Sequence, residues 1–231
     1  MILAAPLIAA LVCAAALAYA HLALPAQTLV SDYALVPGGV APVMVGMLAL
    51  AAGCVFLAYG LAVREPARTA ATRVLLVAAA GGLMLSALFP TDHGTASSLS
   101  GEVHRWASAV VFTSLPVAGW TLARGRAPLP RWNLVRSLVG TAVVALTVYL
   151  AAHPAALTSP FIGGEAYYGL LERAVIVAEV VLVVAMGVAA SRDNRLPTRI
   201  PVVTSENRDP APAAPVVTSA PAAPADRARA A

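Results

Sequence analysis

A chain of 231 residues that is 60% hydrophobic and 11% charged, with a mean hydropathy of +0.81, carries less than half the charge of an ordinary soluble domain, about 25%. Water alone would not keep such a chain dispersed, so a soluble domain is excluded. The formal net charge of +4 comes from arginine without any lysine, and the arginines stand in short breaks beside apolar stretches, which is the pattern of membrane orientation and not of a nucleic-acid partner.

Taken in chain order, six stretches are long and apolar enough to cross a bilayer, for which about 20 residues are needed. They are Ile2–Leu24, Gly39–Val63, Val74–Phe89, Val103–Leu122, Leu138–Ala152 and Gly169–Ala190. The third and fifth are short, and their helices are expected to run into the flanking polar residues. Ala18-Tyr19-Ala20 in the first stretch has the form of a signal-peptidase site, but the positive leader region is missing and the apolar run continues through Leu24; an uncleaved first helix is expected. Pro116 is expected to kink the fourth helix. Gly81-Gly82 in the third is expected to let a neighbouring backbone come close, small residues being what packs helices in lipid. Cys13 and Cys54 both lie in apolar stretches and read as small buried hydrophobes, with neither a disulfide framework nor metal-site spacing.

The breaks alternate in charge. Arg64, Arg68 and Arg73 follow the second stretch; Arg124, Arg126, Arg131 and Arg136 follow the fourth; Arg192, Arg195 and Arg199 follow the sixth. The other three breaks hold only Arg105. This predicts a multi-pass protein with both termini in the cytoplasm, and the arginine-only, alanine-rich composition points to GC-rich coding and a bacterial plasma membrane. From Ser191 the chain turns to proline and alanine, with Pro-Val-Val-Thr-Ser at 201–205 and again at 215–219. Such a segment buries too little apolar surface to offset the entropy of ordering. The predicted organisation is therefore an all-α six-helix membrane domain over residues 1–190 and a disordered cytoplasmic tail over 191–231.

The same topology places most acidic and imidazole groups at the opposite, outer ends of the helices, where they form a candidate polar cup. Its members are Asp32, Asp92, His93, His104, Glu172 and Arg173. Asp92, His93 and His104 form a set of types that suits zinc or another divalent metal, although the spacing matches no zinc signature; the alternative is loop hydrogen bonding by Asp92 and histidines at headgroup depth. Ser31-Asp32-Tyr33 and Thr91-Asp92-His93 share a hydroxyl–aspartate–ring pattern that also serves as a turn or helix cap. Glu172 and Glu179 stand seven residues apart and share one face of the sixth helix, with Glu179 about 10 Å deeper at 1.5 Å per residue. A charged carboxylate at that depth costs several kcal/mol, so Glu179 is expected either to be carried neutral, hydrogen-bonding a neighbouring helix, or to serve proton coupling. Arg173 points about 100° away from Glu172 and is expected to find a partner elsewhere, with Asp32 or Asp92 the nearest anions in the cup. Neither a phosphate-binding loop nor a serine nucleophile elbow is present.

Four short motifs coincide: Ser31-Asp32-Tyr33, Phe89-Pro90-Thr91-Asp92, His104 opening the fourth helix, and Gly169-Leu170-Leu171-Glu172-Arg173 opening the sixth. With six spans they resemble the bacterial membrane family catalogued as domain of unknown function 998, over about Met1 to Arg192. The resemblance implies a six-helix integral membrane protein and no particular activity. The chain is also distantly similar to multispan proteins of the Frag1/DRAM/Sfk1 type, which implies a role in lipid and membrane organisation. Three functions stay open. The first is a non-enzymatic protein without cofactor whose cup binds a lipid headgroup, ion or partner protein. The second is a small proton-coupled transporter using Glu179 with Glu172. The third is a metal-dependent membrane hydrolase using Asp92, His93 and His104. The sequence does not determine the oligomeric state.

Overall fold

The computed structural model describes residues 4–92, 98–158 and 165–193, and for residues 153–158, 165, 166 and 193 it describes the backbone alone. His93 and the tail from residue 194 therefore lie outside the described residues.

The six apolar stretches form six α-helices: α1 (Ala5–Ala23), α2 (Val40–Arg64), α3 (Ala70–Leu88), α4 (Leu99–Ala123), α5 (Pro130–Thr158) and α6 (Glu165–Asp193). All six are long and apolar enough to cross a membrane, and no strand occurs among the described residues. In hydrocarbon each backbone group must find its partner within the segment, which a helix provides. The two short stretches do extend: α3 opens at Ala70 instead of Val74, and α5 at Pro130 instead of Leu138. Proline suits the first helical position because its missing N–H would have no partner there anyway. At the other end α6 runs through Ser191 and Arg192 to Asp193, into the segment the composition had assigned to the tail. The fourth helix is continuous through Pro116, which is buried.

Consecutive helices pack against each other around the bundle, and α6 closes it by meeting α1, α2, α4 and α5. The short connections at 65–69 and 124–129 make their helices antiparallel neighbours. The bundle therefore has an arginine end, where α2 meets α3 and α4 meets α5, and a polar end, where the segments 24–39 and 89–92 lie. The apolar core fills the half toward the arginine end. Leu57, Leu61, Leu76, Leu115, Trp132, Val135, Leu182 and Met186 are sealed from solvent there. The outward faces stay apolar, with Ile8, Leu11, Phe56, Val74, Val144 and Val177 exposed, the reverse of a soluble protein.

Close approach of α3 and α4 depends on one glycine of the pair. A Cβ on Gly82 would sit 2.7 Å from the Ala107 carbonyl oxygen, whereas one on Gly81 would meet nothing within 4 Å. Across the same interface Thr72 pairs with Thr121 at 3.0 Å and Ser86 with Ser108 at 3.2 Å, hydroxyl contacts of the kind that join helices in lipid.

The helix ends nearest the arginines are tied by side chains. Arg126 bridges Glu65 at 2.5 Å and lies 4.8 Å above the Trp132 ring. Arg68 donates to the Gly125 carbonyl, and Arg136 to those of Ala123 and Arg126. These arginines hold the two short turns together.

Candidate functional site

The polar half of the bundle is hollow. A cavity of about 960 Å³ extends from Thr28–Asp32 and Thr91–Asp92 down to Glu179, with walls from all six helices. Such a volume lies at the upper end of the range typical of ligand clefts, about 300–1,000 Å³. The cavity brings together Asp32, Asp92, His104, Glu172 and Glu179. Among the described residues, no three histidine, cysteine, aspartate or glutamate side chains gather as a metal-ligand group.

The segment between α1 and α2 is built inward, and α6 holds it. Glu172, only 7% exposed, accepts the Val30 N–H on Oε2 at 2.6 Å. Its neighbour Arg173 reaches the same segment from the adjacent helix face. The guanidinium donates to the carbonyls of Thr28 at 2.6 Å and Gln27 at 2.8 Å, and to Gly169 of its own helix. Its Nε donates to His21 Nε2 at 2.9 Å. His21 in turn gives Nδ1–H to the Leu17 carbonyl, so its ring is neutral with the proton on Nδ1. Arg173 thus clamps the segment through backbone carbonyls, where the sequence pointed to Asp32 or Asp92 as its partner. Asp32 accepts the Leu29 N–H at 3.2 Å, beside a short 3-10 turn at Ser31–Leu35 whose Tyr33 is buried against the His21 ring. Gly169 permits the clamp: a Cβ there would collide with the Thr28 carbonyl and sit 2.7 Å from an Arg173 nitrogen.

Asp92 organises the entry to α4. Its carboxylate accepts the Ser98 hydroxyl at 2.5 Å and the Ser98 N–H at 3.1 Å. The same hydroxyl caps α4 by accepting the Gly101 N–H at 3.2 Å. The two hydrogen bonds from Ser98 hold the Asp92 carboxyl below the usual aspartate range. The cap is Ser98, while the Thr91-Asp92 pair that resembled a cap in the sequence supports it from outside the helix. A Cβ on Gly101 would strike the Asp92 carboxylate.

His104 is buried one turn into α4. Its Nδ1 faces two carbonyl oxygens, Ser86 at 3.1 Å and Phe89 at 2.9 Å. Carbonyls only accept, so Nδ1 carries a proton and Nε2 is the ring atom left for a partner. Glu179 lies at the cavity floor and is 2% exposed. Its Oε1 is buried with no hydrogen-bond partner among the described residues.

Reading the sequence missed several cavity residues. Ser86, Ser108, Phe112 and Tyr149 all line it, and Tyr149 stacks on Tyr168 with ring centroids 4.7 Å apart. A tyrosine near a helix end carries the signature of an interfacial ring, and nothing local separates that from a ring turned inward. Tyr167 is half exposed, while Tyr168 lines the cavity.

The cavity also reaches the bundle's flank. Ala109 and Thr113 of α4 and Leu150 of α5 line it and are exposed as well. Toward the arginine end α5 buries Trp132, Val135, Val139 and Ala142. From Val143 to Ala151 no α5 residue is buried, and only 17% of its most apolar window is covered, against 50% for α4 and α6.

No curated protein and no solved structure gives a significant match to the chain. The six apolar helices make this an integral membrane protein, and with the model of the family described as "Protein of unknown function (DUF998)" matching residues 2–189, the chain belongs to that family.

Proposed function

We propose that this is a non-enzymatic, multi-pass protein of a bacterial plasma membrane, with both termini in the cytoplasm, whose extracytoplasmic cavity binds an amphiphile taken from the outer leaflet. The observation that carries this reading is the side opening between α4 and α5, lined by Ala109, Thr113 and Leu150. A cavity with polar groups inside and a flank facing hydrocarbon fits a molecule with a polar head and an apolar chain. Arginine placement supports the orientation.

Native mass spectrometry of the full chain released from mild detergent tests the binding. An amphiphile adduct is expected on the wild type and depleted in Thr113→Trp, which plugs the gap; a wild type that carries no adduct overturns the reading. For orientation, Cys13 and Cys54 are buried and leave the background low. Leu99→Cys should react with a membrane-impermeant maleimide on intact cells, and Ala67→Cys only after lysis. The opposite pattern would invert the topology.

A second reading, a proton-coupled transporter, is favoured by Glu172 and Glu179 lining one cavity at two depths. Its mark would be Glu179→Gln abolishing uptake in reconstituted vesicles at unchanged protein level.

A further inference from the structure

Which amphiphile the cavity takes follows from its charge, and this inference rests on the binding reading above. Among the described residues, four carboxylates line the cavity, those of Asp32, Asp92, Glu172 and Glu179, against one arginine, Arg105, which bridges Glu102 of its own helix at 3.0 Å. Three of the four carboxylates accept hydrogen bonds from the chain, from Leu29, Ser98 and Val30 respectively. The fourth, Glu179, presents a buried oxygen without a hydrogen-bond partner among the described residues, about 10 Å deeper than Glu172 on the same helix face. A buried acceptor left bare is costly, and the group that completes it must be a donor.

The donor must also be carried on something apolar, because the walls include Leu83, Phe112, Leu146 and Ile176. The Tyr149–Tyr168 stack adds aromatic faces of the kind that attract a cation. A phospholipid fits poorly, since its phosphate would enter among four carboxylates with Arg105 the one arginine among the described wall residues. We propose that the cavity selects a single-chain amphiphile bearing a protonated amine and no phosphate, its ammonium donating to Glu179 and its alkyl chain leaving through the gap between α4 and α5.

The test titrates the full chain, in phosphatidylcholine nanodiscs, with three twelve-carbon probes: dodecylamine, dodecanol and dodecyl sulfate. Dodecylamine is expected to bind at least tenfold more tightly than the other two. Glu179→Gln is expected to erase that preference while leaving dodecanol affinity and the melting temperature as they were, since the buried Oε1 has no hydrogen bond to lose among the described residues. Equal wild-type affinity for amine and alcohol overturns the ammonium assignment and leaves amphiphile binding intact. Failure of all three probes overturns both. A folded Glu179→Gln chain that keeps the tenfold preference removes Glu179 from the site, and should that variant not fold, the wild-type series decides alone. Displacement of dodecylamine by phosphatidylethanolamine at equal mole fraction would overturn the exclusion of phosphate.

Discussion

The two halves of the bundle solve opposite problems with the same six helices. Toward the arginine end the helices close on a packed core, and side chains lock the turns: Trp132 under Arg126, Arg126 on Glu65, Arg136 on two carbonyls. Toward the polar end the chain folds inward around a cavity, and one carboxylate at its floor has a buried oxygen without a hydrogen-bond partner among the described residues. Stability is thus concentrated in one half, which frees the other to hold a hollow that packing alone would have filled. A membrane protein can divide itself this way because lipid supports its outer surface wherever the interior is empty.

Substitutions at the two ends should separate these roles. The largest loss is expected at the packed end. The Arg126 side chain is 8% exposed and its Glu65 partner 23%, so Arg126→Ala leaves an uncompensated carboxylate and an uncovered indole. A destabilisation of about 3 kcal/mol is expected, read as a lower unfolding midpoint in detergent, with amphiphile binding unchanged at temperatures where the protein stays folded. An unaltered midpoint would mean the short turns need no side-chain lock.

At the polar end Gly169→Ala drives a methyl into the Thr28 carbonyl and the Arg173 guanidinium. A loss of about 2 kcal/mol is expected, in the range of overpacked sites, accompanied by faster proteolysis within residues 25–36. Gly81→Ala, which meets nothing within 4 Å, is the control. If both glycines respond alike, the clamp does not hold that segment.

The smallest effect belongs to Ser98→Ala, which removes the cap of α4 and should cost about 1 kcal/mol. It also removes one hydrogen bond that favours the ionised Asp92, so the Asp92 carboxyl should titrate closer to its ordinary value of 3.8. The sign follows from the direction of the shift: with the folded value depressed, the Asp92–Ser98 tie contributes above the ordinary carboxylate range and is lost as pH falls through the lowered value. Carbon-detected NMR of the carboxyl group would read the change; an unshifted titration would show that Ser98 does not tune Asp92.

Hydrophobic length and arginine spacing are written along the chain, so six helices and their alternating order were legible from residues alone. Some site features were legible for the same reason. Glu172 and Glu179 share a helix face by their spacing, and both line the cavity. Other features were not. Ser31-Asp32-Tyr33 and Thr91-Asp92-His93 look alike as sequence, yet Asp32 accepts from Leu29 within a 3-10 turn while Asp92 props a cap made by Ser98, six positions further on. Arg173 seemed to want a carboxylate and instead holds the carbonyls of Gln27 and Thr28, because a free backbone carbonyl leaves no trace in residue type. Gly81 and Gly82 are equivalent on paper and differ in space by which side of α3 faces α4.

The sequence by itself determined that the chain lies in lipid, crosses it on six helices, and gathers its basic and acidic groups at opposite ends, since transfer from water to hydrocarbon depends on composition along each segment. Only the tertiary structure decided that the acidic half is hollow, that the cavity reaches the flank at α4 and α5, and that Glu179 lines it with a buried oxygen lacking a hydrogen-bond partner among the described residues. Those features depend on how helices distant in sequence fit together, and fit is a property of shape that no single segment carries.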